Sequence, residues 1–278
     1  MRKNSLVMPV VKWVGGKRQL LSVLTPLLPR KITTYCEPFL GGGALLFSRQ
    51  PQIAVVNDIN YELILMYEVI RDDVEGLIIE LGKYKNESSY YYEIRDLDRD
   101  KGKFLSLSRI ERAARIIYLN KTCYNGLYRV NNAGEFNSPF GSYRSPNIVN
   151  APTLRAVHQY FQQASIVFTS GDYAGALSDL GKGAFVYLDP PYDPISNTSN
   201  FTGYSRSGFS RDDQVRLREC CDELHRRGIK FMLSNSATDF IMELYSAYDI
   251  SIVQAKRAIN SNASGRGGVD EVVVRNYG

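Results

Sequence analysis

The chain has 278 residues, 44% of them hydrophobic, enough to bury a sizeable core as one large domain or two smaller ones. Its four cysteines (Cys36, Cys123, Cys220, Cys221) lack metal-ligand spacing and it has only two histidines, His158 and His225, which argues against a histidine-based metal site or triad. No run approaches the ~18 apolar residues of a membrane span and residues 1–30 do not read as a secretory leader, so we expect a cytoplasmic protein with reduced thiols, no bound metal and no membrane contact; the net charge of +5 is compatible with a polyanionic partner.

In chain order, Met8 to Trp13 reads as a short strand. Gly15-Gly16-Lys17 follows, and then a helical pattern (Leu20, Leu21, Val23, Leu24, Leu27, Leu28) that ends near Pro29. The phosphate-loop spacing is absent, so this helix start is either a site for another anion, such as a carboxylate, or a plain turn. Thr33 to Glu37, the glycine turn Pro38-Phe39-Leu40-Gly41-Gly42-Gly43 and the helical Ala44-Leu45-Leu46-Phe47 form a strand, turn and helix, the first half of a nucleotide-binding α/β unit. The strand Ile53 to Asn57 then delivers Asp58 at its carboxyl end, placed to accept from ribose hydroxyls. The G-x-G-x-x-G pattern is not met, which counts against NAD or FAD.

From Asn60 to about Ser108 the pattern is helical and amphipathic, and Tyr90-Tyr91-Tyr92 reads as packing at helical spacing. A further helix, Arg109 to Asn120, turns Ile110, Ala113, Ala114, Ile117 and Tyr118 inward and Arg109, Arg112 and Arg115 toward the surface. Between Ser108 and Asn147 the six cations Arg109, Arg112, Arg115, Lys121, Arg129 and Arg144 face only Glu111 and Glu135. Within that stretch Asn125-Gly126 is a tight turn, and Asn132-Ala133-Gly134 separates two extended arms of a β-hairpin. Its side chains suit base edges: Arg129 for guanine, Asn131 for adenine, Leu127 and Pro139 for a thymine methyl, with Tyr124 able to fill the gap left by an extruded base. An ordinary surface hairpin has the same composition.

A helix from Pro152 to Gln163 leads to the strand Ser165 to Thr169 and Gly171-Asp172, after which α/β alternation resumes. The strand Ala184 to Leu188 stops at Asp189-Pro190-Pro191-Tyr192. Neither proline can donate an N–H, so the Pro190 carbonyl stands beside the Asp189 carboxylate and the Tyr192 ring as an acceptor for a ligand. Two acceptors and a flat ring suit an exocyclic amino group on a planar base: with both hydrogens directed at acceptors, its nitrogen pyramidalises and can offer its lone pair to an electrophile. A polar loop spans Asp193 to Ser207, a helix with Ser210 as its cap runs to about Arg227, and a strand covers Lys230 to Ser234. A helix around Phe240 to Tyr245, a strand Ile250 to Gln254, a glycine-rich turn Gly265 to Gly268 and a strand Glu271 to Arg275 close the chain.

With those residues in view the sequence resembles the Dam-type DNA adenine-N6 methyltransferases along nearly its whole length. The likeness rests on Lys12-Trp13-Val14-Gly15-Gly16-Lys17, the glycine turn, Asn57-Asp58, the hairpin, Gly171-Asp172, Asp189-Pro190-Pro191-Tyr192 and Phe209-Ser210. It implies an α/β Rossmann-like S-adenosylmethionine-dependent methyltransferase sheet with an inserted helical, hairpin-bearing recognition domain. The catalytic domain would comprise residues 1–58 and 161–278, and the insertion residues 59–160. It further implies methyl transfer from S-adenosylmethionine to adenine N6 in double-stranded DNA at GATC, the base being extruded from the duplex, in a bacterial or phage host cell.

Carried over residue by residue, Trp13, Lys17, Phe39, Gly41, Asp58, Asp172 and Asp189 would surround the cofactor, with Asp58 at its ribose, Asp172 at its adenine and Lys17 at its methionine end. Asp189 and Pro190 would hold the target amino group and Tyr192 would stack on the base. Arg129 and Pro139 would read bases, Tyr124 and Asn125 would support the opened stack, and Lys12 would reach the outer base pair. Where many members of that family have an aliphatic residue after the hairpin's Phe-Asn, this chain has Ser138. The tetrapeptide alone does not separate adenine N6 from cytosine N4, nor DNA from RNA or single strands. A DNA-binding protein that kept the fold without turnover is the reading from another class.

Overall fold

The computed structural model describes residues 3–195, 209–256 and 268–278. Among them seven strands form one mixed sheet: β1 (Tyr35–Glu37), β2 (Ile53–Asp58), β3 (Ser165–Ser170), β4 (Phe185–Leu188), β5 (Lys230–Ser236), β6 (Asp249–Lys256) and β7 (Gly268–Arg275). Their order is β3-β2-β1-β4-β5-β7-β6, parallel from β3 to β5, with β7 antiparallel to both its neighbours. The helices are α1 (Leu21–Leu27), α2 (Ala44–Arg49), α3 (Tyr61–Asp72), α4 (Val74–Leu81), α5 (Ser88–Asp96), α6 (Lys101–Ser106), α7 (Arg109–Thr122), α8 (Ala151–Gln163), α9 (Tyr173–Leu177), α10 (Arg211–Arg226) and α11 (Asp239–Leu244).

Strand alternation sorts the sheet's side chains into two cores. Tyr35, Phe185, Tyr187, Met232 and Val273 join one hydrophobic cluster with α1, α2, α3, α7 and α8. Their strand neighbours Cys36, Val186, Leu188, Leu233, Val272 and Val274 join another with α9, α10 and α11. Central strands buried on both faces read as continuous apolar runs, which is why Phe185 to Leu188 carries no polar alternation.

Helices α3 to α8 all fall between β2 and β3, where a parallel pair needs only one crossover. Asn60, Ser108 and Ser210 cap α3, α7 and α10 with their side chains, and Ser108 with Glu111 and Ser210 with Asp213 complete reciprocal capping boxes. Tyr91 is fully buried between Tyr118 and Phe140 and Tyr90 packs on Tyr118, whereas Tyr92 is exposed, so two of the three tyrosines pack.

Two expectations need correction, and one helix had no counterpart in the sequence reading. Met8 to Trp13 is not a strand: Val10 and Val11 are buried, but the Lys12 backbone pairs with the Asn120 side-chain amide rather than with another strand. The short α9 after Asp172 was not foreseen, because five residues are too few to show a periodicity. Arg115 does not point to the surface; it is 6% exposed and anchors the helical region. Residues 196–207 of the polar loop and 265–267 of the glycine-rich turn lie outside the described residues.

Asn120 replaces the missing strand. Buried in α7, it accepts from the Lys12 N–H at 2.8 Å and donates to the carbonyls of Lys12 at 2.7 Å and Gly126 at 3.2 Å. One side chain thus fastens the amino-terminal segment to the turn that opens the hairpin. Asn120→Ala strips three backbone groups of a partner and is expected to cost about 1–3 kcal/mol, measured by urea unfolding; an unchanged midpoint would contradict this role.

Candidate functional site

Parallel strands bring their carboxyl ends to one edge, and here β1, β2 and β4 deliver Glu37, Asp58 and Asp189 there while Asp172 follows β3. Lys17, itself 5% exposed, places Nζ 2.8 Å from Asp189 Oδ1, 2.5 Å from the Gly15 carbonyl it donates to, and 4.6 Å from the centre of the Tyr192 ring. Burial raises the Asp189 carboxyl above the usual range, opposed by Lys17 and reinforced by Glu271. Among the described residues no donor reaches the Pro190 carbonyl. The Tyr192 hydroxyl donates to Glu271 Oε2 at 2.7 Å, which fixes the ring's far end to β7.

Below the tetrapeptide the chain is tied down. The Pro191 carbonyl accepts from Gln214, whose own oxygen accepts from Asn235, and Asn235 in turn accepts from the Asp193 N–H. The buried Asp193 carboxylate takes Arg211 and the Thr238 hydroxyl. The acceptor pair and the ring therefore rest on a saturated network, which limits how far they can drift.

The glycine turn lies beside this group. Gly41 has φ +49° and Gly43 φ +65°, and a Cβ on Gly41 would fall 2.7 Å from Trp13 Cδ1, so the indole occupies the space that glycine leaves. Asp58 accepts from the N–H groups of Gly41 and Asn60, both at 2.9 Å, and these bonds oppose the upward shift that burial gives its carboxyl. Phe39 stacks obliquely on Tyr173, ring centres 5.1 Å apart, with Phe209 edge-on at 6.0 Å. Asp172 caps α9 and forms a two-pronged pair with Arg216 at 2.7 and 2.9 Å, which holds its carboxyl below the usual range.

The hairpin residues gather elsewhere in the chain. Asn125 and Gly126 both have positive φ, and the Tyr124 carbonyl accepts from the Leu127 N–H across them, the turn geometry that Asn-Gly favours. Tyr124 is 58% exposed, and its N–H donates to the Pro139 carbonyl. The Lys12 stem lies against Gly126, where a Cβ would meet its Cδ at 2.6 Å. The arms pair at Cys123 with Phe140 and Val130 with Phe136 as isolated bridges.

Arg129 is exposed and donates to Asn137 Oδ1 at 2.8 Å. Asn131 instead turns inward: its carbonyl accepts from the N–H groups of Ala133 and Glu135 and its amide donates to Glu135, which builds the turn. The buried Ser138 hydroxyl donates to the Leu127 carbonyl, a bond an aliphatic residue would forgo. Trp13 stacks on Tyr128 at 4.6 Å and so joins the glycine turn to the hairpin.

The positive charge of the helical stretch is redistributed by folding. Arg109 pairs with Glu68 at 2.8 Å, Arg112 with Glu62 and Arg115 with Asp98 at 2.8 Å, so three of the six cations are neutralised by partners distant in sequence. Lys121 lies instead near Lys12 and Arg18; burial first, then these two charges, pulls its ammonium below the usual range.

A family model of D12 class N6 adenine-specific DNA methyltransferases matches residues 13–259. The chain belongs to that family. It is 44% identical to the Type II methyltransferase M1.LlaDCHI of Lactococcus lactis subsp. cremoris, over 100% of this chain and 99% of that protein. It is 40% identical to the Type II methyltransferase M.MjaIII of Methanocaldococcus jannaschii, covering 98% and 99%, and 33% identical to the DNA adenine methylase of Escherichia coli strain K12, covering 98% and 95%. The chain is therefore a DNA adenine-N6 methyltransferase, its seven-stranded mixed sheet is typical of S-adenosylmethionine methyltransferases, and membership implies that molecule as donor.

For this methyltransferase no role was assigned from sequence to Glu37, Asn57 or Glu271. Glu37 carries the same signature as Asp189, an acid at a strand end before proline. It accepts from the Tyr35 hydroxyl at 2.7 Å, and that hydroxyl and the Leu46 N–H near the start of α2 favour its charged form against burial. Asn57 donates to the carbonyls of Pro38 and Gly171, both at 3.0 Å, and so joins the loops after β1 and β3. Glu271 reaches Tyr192 from 79 positions away, with no local signal.

Burial pushes the Glu37 carboxyl from 4.5 to about 8. The folded protein therefore keeps a proton that the unfolded chain sheds, so this contribution to stability is full below pH 4.5 and is lost as pH rises through about 8. Each unit corresponds to about 1.4 kcal/mol, which makes the loss a few kcal/mol. Glu37→Gln should flatten the fall in urea midpoint between those limits, and identical pH profiles for variant and parent would refute the assignment.

Proposed function

We propose that the acid edge and Tyr192 form the methyl-transfer site, with residues 1–58 and 161–278 as the catalytic domain and residues 59–160 as an inserted domain that recognises duplex DNA. The observation that carries this is the placement of Lys17 Nζ, 2.8 Å from Asp189 and 4.6 Å from the Tyr192 ring: a nitrogen donor fits between carboxylate and ring face. The target adenine, extruded from the duplex, stacks on Tyr192 and directs its amino hydrogens to Asp189 and the Pro190 carbonyl. Those bonds draw the nitrogen out of conjugation, so that its lone pair would take a bound donor's methyl carbon in line while the carbon–sulfur electron pair stays with the departing thioether, S-adenosylhomocysteine. The nitrogen then releases a proton, which Asp189 is suited to accept because burial raises its carboxyl.

S-adenosylmethionine, when bound, supplies the electrophilic sulfonium methyl. The residues present suit it: Asp58 and Asp172 offer acceptors for ribose hydroxyls and an adenine amino group, Lys17 a cation for the methionine carboxylate, and Phe39 and Trp13 apolar faces.

The hairpin reads the duplex at GATC, a site we take from the family resemblance. Exposed Arg129 suits guanine, and exposed Pro139 with half-buried Leu127 suits a thymine methyl. Tyr124 and Asn125 stand at the turn nearest Lys12, where a side chain would support the opened stack. Asn131 contributes through the turn it builds. Lys12, Arg18 and Lys121 form the phosphate-facing cluster.

Asp189→Ala should lower methyl transfer from labelled S-adenosylmethionine to matched duplex by at least about 10²–10³-fold while duplex affinity persists; retained turnover would sink the role given to Asp189. Arg129→Ala should remove about 1–3 kcal/mol of discrimination at one base pair. A uniform loss across all sequences in the same assay would assign Arg129 to phosphate instead.

A further inference from the structure

A hairpin held by isolated bridges is marginal by itself, and the structure shows what holds this one. The peptide of Phe136 is gripped on both sides by consecutive residues of the short turn Leu97–Arg99. Its N–H donates to Asp98 Oδ2 at 2.8 Å, and its carbonyl accepts from Arg99 Nη2 at 2.8 Å. Arg99 also reaches Glu135 at 3.0 Å. Asp98 is in turn fixed by Arg115 at 2.8 Å, a guanidinium that also donates to the carbonyls of Ile94 at 2.8 Å and Arg95 at 2.6 Å.

Removing charges from water is costly, and apolar packing would stabilise the same contact at least as well. What the charges add here is register. Phe136 pairs with Val130, so Asn137 lies opposite Arg129, and their backbones and side chains bond across the arms. A slip of one residue would turn every hairpin side chain to the other face. The grip on Phe136 therefore determines which way Arg129 points, although Asp98, Arg99 and Arg115 lie on helices and a turn outside the hairpin.

We propose that Asp98 and Arg99, backed by Arg115, are specificity-positioning residues: they clamp the hairpin in the one register that presents Arg129 to a base edge, and act on sequence discrimination rather than on methyl transfer. This rests on the hairpin being the base reader, as proposed above. The test uses the full chain with labelled S-adenosylmethionine, the GATC duplex and duplexes altered at one base pair. It compares Arg99→Ala, Arg99→Lys, Arg129→Ala and the double variant Arg99→Ala with Arg129→Ala.

Arg99 also pairs with Asp98 Oδ1 at 3.1 Å, but Arg115 holds the other oxygen at 2.8 Å, so loss of Arg99 leaves Asp98 with that partner; thermal unfolding and S-adenosylhomocysteine affinity by calorimetry check that fold and cofactor site persist. Arg99→Ala should lower discrimination about tenfold at the base pair where Arg129→Ala lowers it. Arg99→Lys should restore part of it, and the double variant should be no worse than Arg129→Ala alone. Unchanged discrimination in Arg99→Ala, or losses that multiply in the double variant, would overturn the clamp while leaving Arg129 as reader. If Arg129→Ala changes discrimination at no position, the base-reading role of the hairpin fails and the clamp fails with it.

Discussion

Everything in this methyltransferase depends on the way a parallel sheet gathers charge. Four neighbouring strands end at one edge, and each is followed or terminated by an acid, so Glu37, Asp58, Asp172 and Asp189 would repel one another if all ionised without partners. The fold gives each a different compensation. Lys17 faces Asp189, the start of α2 and the Tyr35 hydroxyl face Glu37, two backbone N–H groups face Asp58, and Arg216 faces Asp172. The acids consequently diverge: burial dominates at Glu37, Asp58 and Asp189 and raises them, whereas Arg216 dominates at exposed Asp172 and lowers it.

The helical stretch between β2 and β3 uses charge differently. Its arginines are mostly structural, since Arg109, Arg112 and Arg115 meet carboxylates from other turns and helices. Lys121 lies instead near Lys12 and Arg18, and the Lys12 stem lies against Gly126 of the Asn125-Gly126 turn. Asn120 brings the amino-terminal segment to that place, and Trp13 stacked on Tyr128 spans from there to the glycine turn. The glycine turn and the hairpin are thus built on shared residues, although they are far apart in the chain.

Much was legible without coordinates because the signals are local. Apolar runs of four to six residues marked β2, β3 and β4, a capping serine marked α10, and paired Asn-Gly marked a turn whose positive φ values few other residues adopt. An acid followed by proline at a strand end singled out Asp189 as a candidate, and the same signature was available for Glu37. These features are decided by the conformational preferences of adjacent residues, so a short stretch of sequence contains their cause.

What the tertiary structure alone decided concerns partners distant in sequence. Arg115 reads as a surface residue by helical spacing, yet Asp98 and two carbonyls make its burial favourable. Met8 to Trp13 has the composition of a strand, yet the Asn120 amide from α7 takes its backbone bonds first. Glu271 becomes the partner of Tyr192 only because β7 enters between β5 and β6. Local sequence dictates which backbone shapes are cheap and which faces are apolar; the partner each buried charge finds depends on chain segments that meet only after the sheet has closed around its two cores.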